Sequence, residues 1–365
     1  MSGWAAPDRA VAAAARERLD AGEAAMLATV VAVDGHAYRR PGAKTVVAPG
    51  EGATGAITAG CLTDRVERLA ETVLADGPRL ERFDLTDDGD AWGLGVGCNG
   101  VIDLLCEPLD ERHRPLVADA DATTAVVVES ADDRLAVGER ASLDGEPSVT
   151  AAFPESVATA VRDAAADREG AFVTTVEAET DRGPVALFVE RVTAPPHLLV
   201  VGSGQDVRPV VELARNVDFR VTVVGFRGAA ATPERFPDAD RVVATSPRDL
   251  REAVSIDGDT YAVVMTHNFV DDRLAVAELL ATDAPYVGLM GPPDRFERLR
   301  EAIDSDPLPP DADDRLYTPV GLDLGGGTPY QVAHSVVAEA LAVANGRSGG
   351  HLRASDRSIH ADPTE

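Results

Sequence analysis

The stretch HLLVVGSGQDV, residues 197–207, runs from an apolar strand through Gly202-Ser203-Gly204 into the helix pattern VRPVVELARNV, and it sets how the C-terminal half is read. Two glycines at that junction permit a tight turn and let a phosphate approach a helix N-terminus. The third position of the dinucleotide fingerprint is Val207, which keeps helix and strand further apart. Outward from this loop the chain alternates. FRVTVVGF, DADRVVA, TYAVVMTH and APYVGLMG read as strands, and RDLREAV, DDRLAVAELLA and DRFERLREAI read as helices. Such repetition predicts a Rossmann-like parallel sheet with helices on both faces. After PVGLDLGGG, the segment TPYQVAHSVVAEALAVANG predicts a closing helix, with Thr328 as N-cap, Pro329 at the first position, Gln331 at the third and Gly346 as the stop.

The 365 residues exceed one ordinary core, on a prior of about 100–200 residues per domain. Pro195 and Pro196 cannot both join a central strand ladder, so the boundary is placed there. The expectation is an N-terminal domain over 1–194, a Rossmann-like domain over 195–350 and a flexible tail over 351–365. The N-terminal domain reads as mixed α/β (α+β). It begins with a helix in MSGWAAPDRAVAAAARERLD, without a signal peptide, and continues with strands MLATVVAV and TVVAP. The helix VERLAETVLADG and the strand VIDLLCEP follow, then strand-like TTAVVVES, RLAVGERA and ALFVERV around a helix near 155–165.

The net charge of -28, from 62 acidic and 34 basic residues, argues against duplex nucleic acid, whose phosphates require clustered Lys and Arg. Spread along an Ala-rich, Lys-poor chain, the acid reads as adaptation to a halophilic cytoplasm. No apolar run approaches the roughly 18 residues of a membrane span. Three cysteines, Cys61, Cys98 and Cys106, have no framework spacing and suit a reducing compartment. Scattered histidines give no side-chain metal site.

Candidate chemistry collects in five places. YRRPGAK concentrates Arg39, Arg40 and Lys44, read as an anion site or as surface ion pairs. Cys61, after Gly60 in AGCLTD, and Cys98, in GVGCNG, sit in glycine loops whose N–H groups favour a reactive thiol, whereas Cys106 reads as a buried one. Gly202 and Gly204 offer phosphate approach, although the second strand ends in Gly225 where an acidic residue would bind a ribose. Arg227 meets a 2'-phosphate or is a solvated loop residue. His267 and Asn268 follow a strand at its carboxyl end, where they either serve a ligand or order the loop. Gly288 to Gly291, and Asp323 with Gly325 to Gly327, add glycine-rich strand ends on the same edge.

With these residues in view, the chain resembles the XdhC/CoxI family, accessory proteins for maturation of xanthine dehydrogenase and carbon monoxide dehydrogenase. The likeness rests on ATVVAVDGHAYRRPGAK, GAITAGCLTDRV and GVGCNGVIDLLCEP in the first domain. In the second it rests on LLVVGSGQDVRPVVELA, VVMTHNFVDD, YVGLMGPPDR and PVGLDLGGGTPYQVAHSVVAEALA. Gln205, Gly225, Ala59, Thr63 and Asn99 depart from the family pattern; Cys61 and Cys98 keep it. The resemblance implies a non-catalytic carrier that binds the molybdenum cofactor as cargo while a cysteine desulfurase installs its terminal sulfur. It then implies insertion into a molybdenum hydroxylase client, with a homodimer as a possible assembly. On that reading Cys61 meets the sulfur side, Arg40 and Lys44 bind an anion, and Gly202 and Gly204 approach a phosphate or nucleotide. The alternative is an NAD(P)-dependent oxidoreductase with His267 as acid/base.

Overall fold

A computed structural model describes residues 3–85, 100–143, 152–166, 168–292, 298–299 and 309–354. The chain divides into two units, Met1–Ala194 and Pro195–Glu365.

In the first unit, β1 (Met26–Gly35), β2 (Lys44–Ala48), β3 (Gly52–Thr54), β4 (Arg79–Asp84) and β5 (Gly100–Pro108) form an antiparallel sheet in the order β3-β2-β1-β5-β4. The period of two in side-chain direction sorts its core. Met26, Ala28 and Val30 of β1, with Ile102, Leu104 and Cys106 of β5, bury against Val66, Ala70 and Val73 of helix α2 (Thr63–Asp76). Leu27 and Val46 turn the other way and meet Val11 and Ala15 of α1 (Asp8–Ala21) and Leu116 and Val117 of α3 (Arg114–Val117). A register shift between Val30 and Ala32 inserts a bulge, and Val31 with Leu105 faces a second sheet. That sheet contains β6 (Ala122–Ser130), β7 (Arg140–Ser142), β8 (Phe172–Thr180) and β9 (Gly183–Val192) in the order β7-β6-β9-β8. Val126 and Val128 meet the first sheet, while Ala125 and Val127 meet α4 (Glu155–Ala166). The expected strand RLAVGERA is mostly a turn. Asp132 accepts from the Arg134 N–H (3.0 Å) and guanidinium Nε (2.9 Å), and Gly138 takes a φ of 86°, so only Arg140–Ser142 pairs.

Three charged side chains cluster together inside this unit. Glu107 Oε2 accepts from Arg140 Nη2 at 2.7 Å and lies 3.5 Å from His113 Nε2, with all three side chains at most 3% exposed. Arg140 Nη1 donates to Thr124 Oγ1 (3.1 Å), and His113 Nδ1 lies 3.2 Å from Asp110 Oδ1. Burial alone would raise the Glu107 carboxyl, but Arg140 and His113 outweigh it and hold it low. Burial would lower His113, and Asp110 and Glu107 instead raise it.

In the second unit β10 (His197–Val201), β11 (Arg220–Gly225), β12 (Arg241–Ala244), β13 (Thr260–Val264), β14 (Tyr286–Leu289) and β15 (Leu316–Tyr317) form a wholly parallel sheet, ordered β12-β11-β10-β13-β14-β15. Leu198, Val200, Val221, Val223 and Val263 face α5 (Val207–Arg215) and α9 (Pro329–Ala344). Leu199, Val201, Val224, Ala262 and Val264 face α6 (Leu250–Ala253) and α7 (Phe269–Leu280). This is the doubly wound arrangement read from the alternation. The helix expected at RDLREAV shrinks to four α-helical residues, and the segment DRFERLREAI lies almost entirely outside the described residues. After both, Ala312–Arg315 forms the short helix α8. The last helix starts as read: Thr328 accepts from the Gln331 N–H while Gln331 reaches back, a capping box with Pro329 behind it.

Buried His197 lies with Nε2 2.9 Å from Thr222 Oγ1, and burial, helped by Arg220, pushes its pKa down to about 4. It is neutral in the fold. The unfolded chain, with a histidine value near 6.5, gains protons first, so this contribution is complete above about pH 6.5 and is lost as pH falls toward 4. Urea midpoints are expected to show about 2 kcal/mol of lost stability from this group between pH 7 and pH 5. His197→Gln should flatten that increment, and an unchanged slope would refute the assignment.

Candidate functional site

Strand order reverses between β10 and β13, so the loops after these strands flank the crevice at the carboxyl edge of the sheet, where open α/β folds bind ligands. The first loop needs its leading glycine: a Cβ on Gly202 would stand 2.6 Å from the Met265 carbonyl oxygen. Val207 is fully buried at the start of α5. The two loops are joined by His267, whose Nε2 lies 2.7 Å from Asp206 Oδ2, with the imidazole 58% exposed. His267 has a φ of 59°, a left-handed conformation uncommon without glycine. Thr266 holds the turn, donating to buried Asp272 and accepting from the Asn268 N–H at 3.1 Å. Asn268 caps α7, its Oδ1 accepting from the N–H groups of Val270 (3.0 Å) and Asp271 (3.1 Å). The loop-ordering alternative therefore describes Asn268, while His267 is exposed and ties its loop to Asp206 of the glycine loop.

The end of β11 is closed to a ribose-binding carboxylate. A Cβ on Gly225 would lie 2.6 Å from that of Ala231 and 3.1 Å from that of Ser203 in the glycine loop. Arg227 pairs with Asp271 at 2.9 Å. A different arginine stands at the loop: Arg235 Nη2 donates to the Ser203 carbonyl (3.4 Å) and has no carboxylate partner among the described residues. Sequence reading passed over it because PERFPDAD carries no periodicity or motif. Gly291, after β14, and exposed Asp323, ahead of α9, lie on loops at the same sheet edge. Gly288 is different, since its added Cβ would meet Val320 at 2.5 Å, a packing requirement within the sheet.

In the first unit the three cations of YRRPGAK have different fates. Arg39 Nη2 donates to both Asp8 oxygens (2.6 and 2.8 Å). Lys44 forms an ion pair with Glu190 of β9 and donates to the Gly42 carbonyl (2.9 Å). Only Arg40 is exposed and without a partner among the described residues, so the free positive charge of this loop resides there. Cys61 is exposed on the turn before α2. That turn is organised by buried Thr58, whose Oγ1 accepts from the N–H groups of Gly60 (3.3 Å) and Leu62 (3.4 Å), with Gly60 at a φ of 111°. Cys106 is buried in β5, and burial with nearby Glu81 and Glu107 pushes its thiol up to about 12, which leaves it protonated and inert. Cys98 lies outside the described residues. An unexpected element is Trp4, whose Nε1 donates to the Thr58 carbonyl (3.1 Å) and whose ring stacks on Tyr38. Among the described residues no group of three His, Cys, Asp or Glu side chains could hold a metal ion, and no helix is long and apolar enough to cross a membrane.

Comparison with known proteins gives consistent findings. Residues 198–340 match the family model described as the XdhC Rossmann domain, and residues 18–84 match the XdhC and CoxI family. A Bacillus subtilis (strain 168) protein, named as a probable subunit of xanthine dehydrogenase, is 29% identical over 331 residues, covering 87% of this chain and 93% of its own length. The uncharacterized protein YqeB of Escherichia coli (strain K12) is 27% identical over 169 residues, 46% of this chain and 31% of that protein. A crystal structure titled as a xanthine dehydrogenase from Bacillus halodurans superposes with a TM-score of 0.71 at 25% identity, covering 96% of this chain and 98% of that one.

Proposed function

We infer, from the premise that this chain belongs to the XdhC and CoxI family, that it is an accessory factor for a xanthine dehydrogenase-type molybdenum hydroxylase and that its cargo is the molybdenum cofactor. The chain would hold the cofactor while a cysteine desulfurase installs the terminal sulfur, then pass it to the client enzyme. The observation that carries this reading is the division of labour between thiols: Cys61 is presented to solvent by an ordered turn, whereas Cys106 is sealed and protonated. Molybdopterin has a soft dithiolene and a hard phosphate. An exposed thiol suits the sulfur side, and the exposed guanidinium of Arg40, without a partner among the described residues, suits the anion. In the second unit, the glycine loop with Arg235 suits a phosphate. Gly225, closed in by Ala231 and Ser203, disfavours the oxidoreductase alternative, because no carboxylate can stand where a ribose would be held.

Protein purified from molybdate-fed cells is expected to carry molybdenum and to release a fluorescent pterin after acid oxidation, while calorimetric titration with NAD(H) or NADP(H) shows no binding heat. Cys61→Ala should lower the retained cofactor by roughly tenfold, about 1.4 kcal/mol of binding, with an unchanged melting curve. Nucleotide binding without pterin would reverse the order of the two readings, and full retention in Cys61→Ala would remove that thiol from the site.

A further inference from the structure

The segment ahead of α1 is fastened down over the Cys61 turn. The Gly55 N–H donates to the Gly3 carbonyl (2.8 Å), and Trp4 Nε1 donates to the Thr58 carbonyl (3.1 Å). Thr58 is the residue whose hydroxyl organises both flanks of the thiol, Gly60 and Leu62, so the indole is bolted to the same turn. Tyr38, two positions before Arg40, lies against the indole with ring centroids 6.0 Å apart and planes inclined by 29°. These rings are not core. Trp4 keeps 37% and Tyr38 48% of its surface exposed. An aromatic pair held by the indole N–H, with its surface open to water, forgoes burial that neighbouring side chains would ordinarily provide, and such pairs mark recognition surfaces. The charge in the same loop is equally specific: Asp8 neutralises Arg39, Glu190 pairs with Lys44, and Arg40 is exposed with no partner among the described residues.

We propose that Trp4 and Tyr38 form a stacking platform for a flat, fused heteroaromatic ring bearing a phosphate, with Arg40 as the counter-charge, and that this platform seats the pterin of the cargo beside the Cys61 turn. The proposal rests on the reading of the chain as a cofactor carrier and adds to it the group that recognises the organic part of the cargo. A pterin face stacks on an aromatic side chain as a nucleobase does, and alanine in place of the aromatic partner weakens such contacts by about tenfold or more. The guanidinium supplies a charge-assisted hydrogen bond to phosphate that a neutral pterin alcohol cannot match.

Trp4 is one of two tryptophans. In a Trp92→Phe background it is therefore the sole indole reporter. Neopterin monophosphate is expected to quench Trp4 emission saturably, and ligand-detected titration should show affinity falling about tenfold in Trp4→Ala and recovering in Trp4→Phe. Arg40→Gln should weaken neopterin monophosphate and leave neopterin unchanged. GMP, which offers the same kind of ring face and phosphate, should bind more weakly, and binding as tight as the pterin phosphate would make the platform a purine-nucleotide site and overturn the assignment. Wild-type affinity in Trp4→Ala would also overturn it. Native cofactor load separates the two levels of inference. A full pterin load in purified Trp4→Ala sinks the platform and leaves the carrier reading intact. Wild-type protein that never carries pterin sinks the carrier reading, and the neopterin phosphate titration then decides the platform alone.

Discussion

Replacing Glu107 by alanine is expected to cost about 3–5 kcal/mol and to lower the melting temperature of the first unit by roughly 10 °C. The cost arises from what remains. Arg140, with its side chain 3% exposed, would keep only its bond to Thr124, and His113 would keep only Asp110. A buried cation without its partner is far more expensive than the pair is favourable, so Glu107→Leu with Arg140→Met should recover most of the loss. Three atoms of this cluster, Glu107 Oε1, His113 Nε2 and Arg140 Nε, have no hydrogen-bond partner among the described residues, so further loss of a partner is poorly tolerated. The pH dependence follows from the two directions of shift. The lowered Glu107 contributes above the unfolded carboxylate value, and the contribution disappears as pH falls through its folded value. The raised His113 contributes below about 6.5, and that contribution disappears as pH rises through its folded value. The contribution of this first-unit cluster should be greatest between these limits, and Glu107→Ala should lose both edges of that plateau. A penalty under about 1 kcal/mol in chemical denaturation would mean that water reaches the cluster.

The second large effect is expected at Gly202. Gly202→Ala places a methyl group 2.6 Å from the Met265 carbonyl, a backbone atom that moves only if β13 moves. The strain and overpacking together amount to about 3 kcal/mol. Gly204→Ala provides the contrast. Its nearest obstacle is the side-chain oxygen of Asp206, which can swing away, so the stability cost should stay near 1 kcal/mol while the bond from Asp206 to His267 is lost. Equal penalties at both positions, measured by urea unfolding, would show that the loop accommodates a side chain and that the close approach at Gly202 is not obligatory.

How much of this was legible in the sequence depended on distance along the chain. The parallel sheet follows from a local alternation of strands and helices, and Thr328 with Gln331 announces its helix within four residues. Partners far apart leave no such trace. Nothing in YRRPGAK shows that Arg39 meets Asp8, 31 positions earlier, or that Lys44 meets Glu190, 146 positions later. The three cations of this loop therefore read either as an anion site or as surface ion pairs, and two of them, Arg39 and Lys44, are bound by carboxylates. Trp4 looked like part of a helical leader because its partner, Thr58, stands 54 residues away. The strands at Arg79–Asp84 and Phe172–Thr180 escaped for a different reason. Both keep a half-exposed surface with charged residues, so their apolar signal is weak. Gly225 was legible as a departure from a dinucleotide site. Its physical basis, the space taken by Ser203 and Ala231, was visible only once the loop had a shape.

The six-stranded sheet finishes on one side in four-residue β12 and on the other in two-residue β15, which is followed by Pro319. A foreign strand that tried to lengthen this sheet would find a template of only a few amide groups on either rim, too short to nucleate a ladder. Further growth across chains is therefore self-limiting. Any association made by this sheet must be built from side-chain surfaces rather than from its rims.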